Sequence, residues 1–238
     1  MKGPKSRTDK STRTVHRVGV QAGYDLWADT YDSTDNPTVH LDRRFTLQAL
    51  SAQLGEKVLD AGCGTGAHAL SLQQLGARVV GVDFSRGMLA VAKRAAPSLP
   101  LLVADLHQPL PLADASFDAV VCSLVSEHLT QLQMFFSEAH RLLVPGGRLV
   151  FTAFHPGQVQ AGVEANFTRN DVEYRLGAEP HGVEDFKRDM QAAGFCEIQQ
   201  QDVLGDAVMV QALPRSQKYL GRPCLVILQA RAEMREAG

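Results

Sequence analysis

The sequence is poor in the features that would place it among several functional classes. Only four cysteines, Cys63, Cys122, Cys196 and Cys224, are scattered along 238 residues. None makes a Cys-x-x-Cys pair or a Cys/His ligand spacing, which argues against a disulfide framework and leaves no metal site to expect. Reduced thiols, and with them a cytoplasmic location, are the expectation. No apolar run is long enough to cross a bilayer. The charged N-terminal residues are not followed by the apolar stretch of a secretory signal, so no membrane partner is expected. Charge of one sign is also lacking: 24 basic residues face 26 acidic ones, a formal net charge of -2. Such a balance sets up no global field to gather nucleic acid. Aromatic residues make up 6% of the chain, with a single tryptophan.

What is present suits one globular domain. Hydrophobic residues are 45% and charged residues 21%, enough to bury a core without staples. Residues 1–17 carry Lys2, Lys5, Arg7, Lys10, Arg13 and Arg17 among Ser and Thr, and read as a disordered basic tail. From Val58 onward, short apolar runs alternate with helix-like segments. Strands are expected at Val58–Ala61, Arg78–Val82, Pro100–Ala104, Ala119–Cys122 and Arg148–Ala153. Helices are expected at Ala67–Leu75, Ser85–Ala96 and Gln131–Leu143. Near-continuous apolar strands are what a sheet buried on both faces requires, and the alternation implies right-handed crossovers. Two later strands, Phe195–Val203 and Cys224–Ala230, bring the count to seven. The fold class is therefore α/β: a doubly wound, mostly parallel seven-stranded sheet with helices on both faces. Helices within Tyr24–Ala52 form an N-terminal helical cover, and His155–Gly182, which has no clear period, reads as an irregular insertion after the fifth strand.

The strongest local signal is Val58-Leu59-Asp60-Ala61-Gly62-Cys63-Gly64-Thr65-Gly66, a strand running through three glycines into a helix. Glycine is required where the chain bends sharply or where bare backbone must approach a ligand. Asp60 ends the strand at the sheet's carboxyl edge, where open α/β sheets bind ligands. About twenty residues on, Asp83 ends the next strand and can accept hydrogen bonds from two ribose hydroxyls. Gly62-x-Gly64-x-x-Ala67 also fits the dinucleotide fingerprint. A nicotinamide cofactor therefore stays open on the loop alone.

The ordered motifs resemble those of class I S-adenosylmethionine-dependent methyltransferases, of the small-molecule type. DAGCGTG resembles the first motif of that family and Val79–Ala92 the second. Ala104–Leu129 resembles the third and fourth, and Arg141–Thr152 the approach to the fifth strand. Tyr24-Asp25-x-Trp27-Ala28-x-x-Tyr31-Asp32 resembles the N-terminal helix of small-molecule members. The resemblance implies S-adenosyl-L-methionine as cofactor and S-adenosyl-L-homocysteine as product. It implies that Gly62, Cys63, Gly64 and Gly66 pass close to the methionine portion, with Asp60 facing its amino group and Ser123 nearby. Asp83 would hold the ribose, Phe84 and Met88 would pack beside adenine, and Ala104, Asp105 and Leu106 would meet the adenine edge. Tyr31 would close the site, while Tyr24 and Trp27 divide between core and contact. It also divides the chain into an N-terminal cover (18–55), a cofactor-binding half (56–154), a substrate cover (155–182) and a C-terminal helix with strands (183–238).

In-line methyl transfer mainly needs alignment, with a base where the acceptor must lose a proton. His155, His128 and His181 are the candidate bases or substrate contacts, because histidine titrates near neutrality. The expected partner is a small-molecule methyl acceptor whose O, N or C is methylated, on a monomer or homodimer, without nucleic acid. A macromolecular (tRNA or protein) acceptor, a nicotinamide oxidoreductase and a non-catalytic binding protein are the alternatives.

Overall fold

A computed structural model describes residues 14–160 and 162–234. In chain order the elements are β1 (Thr14–Arg17), α1 (Val20–Tyr31), α2 (Pro37–Leu50), β2 (Lys57–Ala61), α3 (Ala67–Gln74), β3 (Arg78–Asp83), α4 (Arg86–Ala95) and β4 (Leu101–Val103). There follow β5 (Phe117–Ser123), α5 (Leu132–Leu142), β6 (Leu143–Phe154), α6 (Pro156–Gln160), β7 (Asn166–Arg169) and β8 (Val172–Arg175). The chain closes with α7 (Val183–Ala192), β9 (Phe195–Leu204), α8 (Ala207–Ala212) and β10 (Pro223–Ala232).

Seven strands form one sheet in the order β4-β3-β2-β5-β6-β10-β9. All neighbours are parallel except β10, which runs antiparallel to both β6 and β9. The strand alternation of β5 shows how the sheet is buried on both sides. Phe117, Val120 and Cys122 join a core with Phe135, Phe136 and Leu142 of α5 and Phe186 and Met190 of α7. Ala119 and Val121 face the opposite core, with Leu41 and Leu50 of α2, Ala69 and Leu72 of α3 and Met209 of α8. The strand order reverses at β2, which pairs with β3 on one side and β5 on the other. The loop after β2 is therefore at the topological switch point, where such sheets leave a crevice.

Local signals set the helix boundaries. Asn36 Oδ1 accepts from the Thr38 and Val39 amides, and Pro37 opens α2, an N-terminus built from a capping amide and a proline at the first helical turn. Ser85 Oγ accepts from Met88 N to start α4. The long connection between β9 and β10 holds α8 and a 3-10 turn at Pro214–Tyr219.

Two expectations need correction. Thr14–Arg17, assigned to the tail, form a strand that runs parallel to β8 with Thr14 opposite Val172; the remainder of the basic stretch lies outside the described residues. The segment 155–182 is also less irregular than its sequence. It holds α6 and the hairpin β7–β8, closed by Asn170 and Asp171 at φ 50° and 61°. Two consecutive left-handed residues are the geometry of a tight two-residue hairpin, and Asn and Asp tolerate it. Strand β1 joins this hairpin in a small sheet of order β1-β8-β7. That sheet docks on α1 through a continuous stack in which Trp27 lies on Phe167 at 5.1 Å and Phe167 on Tyr174 at 5.0 Å.

Candidate functional site

The glycine loop has left-handed backbone at Gly62 (φ 78°), Gly64 (φ 52°) and Gly66 (φ 82°). The three do different work. A Cβ on Gly64 would meet nothing within 4 Å, so this glycine leaves open space beside the cleft that it lines. A Cβ on Gly62 would fall 2.4 Å from Val125 Cγ2, so its bareness lets the segment after β5 close on the loop. Gly66 gives room instead to Ala92 Cβ of α4, 3.1 Å from where its own would lie. It lines none of the cavities described below, so its part is packing rather than ligand contact.

Asp83 closes β3 and is buried. One carboxylate oxygen accepts from Gly64 N at 2.9 Å and the other from Ser85 N at 2.8 Å. Burial raises its pKa against those two amides. The acid thus braces the glycine loop and keeps lone pairs on both oxygens. Around it a cleft is lined by Tyr31, Gly62, Gly64, Phe84, Met88 and Ser123, and farther along by Ala104, Asp105 and Leu106. Asp105 also makes a turn, its Oδ1 accepting from the His107 amide at 3.0 Å and meeting His107 Nδ1 at 2.8 Å. Helix α1 is bolted over one end: Asp25 Oδ1 accepts from Ser85 Oγ at 2.6 Å and Gly87 N at 2.8 Å, and Thr65 Oγ1 donates to Asp32 at 3.1 Å.

Behind the loop a smaller pocket is lined by Asp42, Asp60, Cys63, Gly64, His68 and Ser123. Two buried carboxylates there have opposite situations. Asp42 is saturated. Its Oδ1 accepts from Thr46 and Thr152 hydroxyls at 2.8 and 2.7 Å, and its Oδ2 takes Ser123 Oγ at 2.6 Å and lies 2.7 Å from His68 Nε2. Burial alone would raise its pKa, but the His68 bond and charge win and hold it below the usual carboxylate range. The same partnership overcomes burial to raise His68, so the two form an ion pair. Asp60, 1% exposed, is left wanting. It takes an amide bond from Ala69 in the first turn of α3, yet its Oδ2 has no partner. Burial pushes its pKa up to about 6. A buried oxygen without a partner costs free energy unless a ligand answers it. Burial also pushes the Cys63 thiol far up, which makes it an inert small side chain rather than a nucleophile.

A third cavity, about 200 Å³, opens on the far side of Tyr24, Tyr31 and Leu124, which line it and the first cleft alike. Leu124 sits at φ 53°, an unusual conformation for a bulky residue, held by amide bonds to the Thr152 carbonyl and hydroxyl. Glu127 lines this chamber and is 5% exposed, with Oε2 unpartnered. Burial pushes its pKa up to about 8.

The three candidate histidines part company. His128 lines the first cleft, with Nε2 2.9 Å from the Tyr24 hydroxyl. Burial pulls its pKa down to about 4, so it is a weak proton acceptor at neutrality. His155 lines none of these cavities, and its Nδ1 accepts from Gly157 N at 3.3 Å. His181 is likewise outside, with Nε2 2.6 Å from the Leu129 carbonyl and its ring against Phe186. Sequence reasoning missed Glu127, Asp42 and His68 altogether. His68 falls in the first turn of the helix after the glycines, a position that could have drawn attention; nothing in the spacing marks the other two. Among the described residues no cluster of His, Cys, Asp and Glu could hold a metal ion, and no helix is long and apolar enough to cross a membrane.

Comparison with known proteins agrees with this geometry. Residues 59–151 match a family described as a methyltransferase domain. The chain is 40% identical over 153 residues to a demethylmenaquinone methyltransferase of Beutenbergia cavernae, covering 63% of this chain and 62% of that protein. It is 33% identical over 147 residues to a malonyl-[acyl-carrier protein] O-methyltransferase of Serratia marcescens, covering 62% of this chain and 57% of that one. The matches thus span about three fifths of these curated relatives. A crystal structure of an S-adenosylmethionine-dependent methyltransferase from Mesorhizobium loti superposes with a TM-score of 0.65 at 24% identity, covering 78% of this chain and 95% of that one. With the reversed sheet order and the bare-backbone loop at its switch point, the chain has the Rossmann-like fold of class I methyltransferases, and its residues 59–151 match a methyltransferase domain.

Proposed function

We propose that this protein transfers a methyl group from S-adenosylmethionine to O, N or C of a small molecule and releases S-adenosylhomocysteine. The observation that carries this reading is Asp60. A pyrophosphate on the glycine loop would rest at the start of α3, but Asp60 already takes an amide there and has a further oxygen unanswered. That oxygen repels a phosphate and suits the ammonium of an amino acid. A nicotinamide dinucleotide is disfavoured for the same reason. The remaining residues fit the rest of the nucleoside. The free lone pairs of Asp83 suit a vicinal diol, Phe84, Met88 and Leu106 give apolar walls for a purine, and Asp105 suits its amino group. Bound there, the cofactor supplies a methyl group already activated by a sulfonium, so the protein's share is to orient the acceptor and exclude water.

A small acceptor is supported by the chamber that meets the cleft at Tyr24, Tyr31 and Leu124. In this reading the helical cover and the 155–182 segment close over the acceptor. The relatives' names imply two unlike acceptors, and neither is carried over. The test is calorimetry followed by a labelled-methyl assay. S-adenosylhomocysteine is expected to bind, NADH is not, and label should move from S-adenosylmethionine into low-molecular-weight metabolites. Binding of NADH in place of the homocysteine product would refute the proposal. Label recovered only in tRNA or protein would favour a macromolecular acceptor.

A further inference from the structure

We propose that the chamber is an acceptor site for a compact, cationic amine, with Glu127 as the group that holds the nitrogen. This rests on the methyltransferase reading above and narrows its acceptor class. Three observations carry it.

First, Glu127 is almost wholly buried, lines the chamber, and has a carboxylate oxygen without a partner among the described residues. An unanswered buried carboxyl calls for a donor or a cation. Second, the chamber's charges have one sign. Asp35, Glu127 and Glu164 line it, and no described Lys, Arg or His does. Glu164 is partly answered from outside by Arg175 at 3.5 Å and Arg17 at 3.9 Å; Glu127 is not. The nearest base, His128, has its Nε2 3.9 Å from Glu127 Oε1, but burial keeps that ring uncharged and Tyr24 engages its nitrogen. A carboxylate-bearing acceptor would therefore meet uncompensated negative charge. An alcohol brings no charge to stabilise the ionised form of Glu127, whose pKa burial raises to about 8. An ammonium answers it with a charge-assisted hydrogen bond. Third, part of the wall suits a carbon skeleton: Trp27, Tyr31, Phe154 and Tyr219 line the chamber, and the volume of about 200 Å³ limits the acceptor's size.

The same carboxyl solves the chemical problem an amine poses. An ammonium has no lone pair to attack with and must first lose a proton. Burial pushes the pKa of Glu127 up to about 8, so the carboxylate that pairs with the ammonium and takes its proton is gained as pH rises through that value. The nitrogen of the bound ammonium passes one proton to the Glu127 carboxylate and its freed lone pair forms the N–C bond. The C–S bond breaks with its electron pair left on sulfur, and Glu127 then releases the proton to water. The product is the methylated ammonium.

The test uses the full chain and its single tryptophan. Because Trp27 lines the chamber, its fluorescence reports occupancy without turnover. Protein saturated with S-adenosylhomocysteine is titrated with propylamine, benzylamine and phenethylamine, and with the alcohol and carboxylate counterpart of each. At least one amine is expected to change Trp27 emission saturably and to bind about tenfold or more tighter than its alcohol, with the carboxylate weakest. Glu127→Gln should erase that preference while leaving the alcohol's affinity and calorimetric S-adenosylhomocysteine binding unchanged. In the labelled-methyl assay the preferred amine should be methylated by the wild type and not by the variant. Absence of any amine signal, equal or tighter binding of the alcohol or carboxylate, or an undiminished amine preference in Glu127→Gln would each overturn the amine site. Those results with S-adenosylhomocysteine still bound would leave the methyltransferase reading standing; loss of that binding in the wild type would remove both.

Discussion

The nucleoside cleft and the acceptor chamber share Tyr24, Tyr31 and Leu124 as a common wall, yet they are assembled differently. The cleft takes most of its lining from one stretch of chain, Gly62 to Leu129, in which each piece follows a strand of the parallel sheet. The chamber draws on α1, the start of α2, the turn after β5, the 155–182 segment and Tyr219. Two buried carboxyls have an oxygen left free, Asp60 in the smaller pocket behind the glycine loop and Glu127 in the chamber. Asp42, in the same small pocket as Asp60, has both oxygens engaged. The contrast separates two uses of buried acid. Saturated by hydroxyls and His68, one carboxylate ties strands to helices. Left incomplete, the other two are ready for positive charge from outside the chain.

The sharpest way to separate the two regions is Gly64→Arg. A Cβ at this left-handed position would meet nothing within 4 Å, and the longer side chain would extend from the loop that lines the cleft. S-adenosylhomocysteine affinity should fall more than about a hundredfold, for a backbone cost of about 1–2 kcal/mol. Trp27 emission in the unliganded protein should not change. Calorimetry and fluorescence measure the two halves, and an altered Trp27 spectrum would show that cleft and chamber are not separable.

A smaller effect should come from pH. The carboxylate of Asp60 is the form that attracts an ammonium, and its pKa is raised to about 6 in the free protein. Protonation therefore competes with binding below that value. S-adenosylhomocysteine affinity should drop about tenfold per pH unit as pH falls below 6, and level off above 7. Asp60→Asn should bind more weakly with a flat profile across that window. A wild-type profile flat from pH 5 to 7 would remove Asp60 from the binding reading. The same raised pKa has a cost for the empty protein: ionising Asp60 disfavours the fold as pH rises from about 4 to about 6, and the ligand should relieve it.

The smallest change is expected at the shared wall. Tyr24→Phe deletes the hydroxyl bonded to His128 and should cost about 1 kcal/mol, a fall of about 2–4 °C in Tm for a chain of this size. Since the ring itself remains, S-adenosylhomocysteine affinity should stay within about threefold. A larger loss of affinity would mean the hydroxyl serves the ligand rather than the fold.

The contrast also explains what the sequence could disclose. Strands β2, β3, β4 and β5 are short, mainly apolar runs, and the crossovers keep the glycine loop, Asp83 and Asp105 at the ends of successive parallel strands. Local order in the chain therefore becomes local order in space, and the cleft can be read directly. Gly66 was the exception, because a glycine that makes room for a neighbouring helix and one that makes room for a ligand look alike in sequence. The hairpin β7–β8 was hidden by its two-residue Asn170–Asp171 turn and short strands. Strand β1 was hidden because its partner lies some 150 residues away, with Thr14 opposite Val172. Glu127 and Asp42 carry no periodic or motif signal: their importance comes from burial and from what does or does not touch them. The histidines show the converse error. His155 and His181 follow strand and loop ends as a base might, but their ring nitrogens serve the backbone.

The close approach of Val125 to Gly62 has a consequence for how this protein can change. Any side chain at position 62 would displace Val125, which stands only two positions before Glu127. A variant there would disturb the glycine loop and, through the same short stretch, the carboxyl proposed to hold the acceptor. Position 62 is thus answerable to two ligands at once. A lineage adapting to a new recipient would find the substitutable ground in the hairpin and at the mouth of α2, where the walls touch one ligand alone.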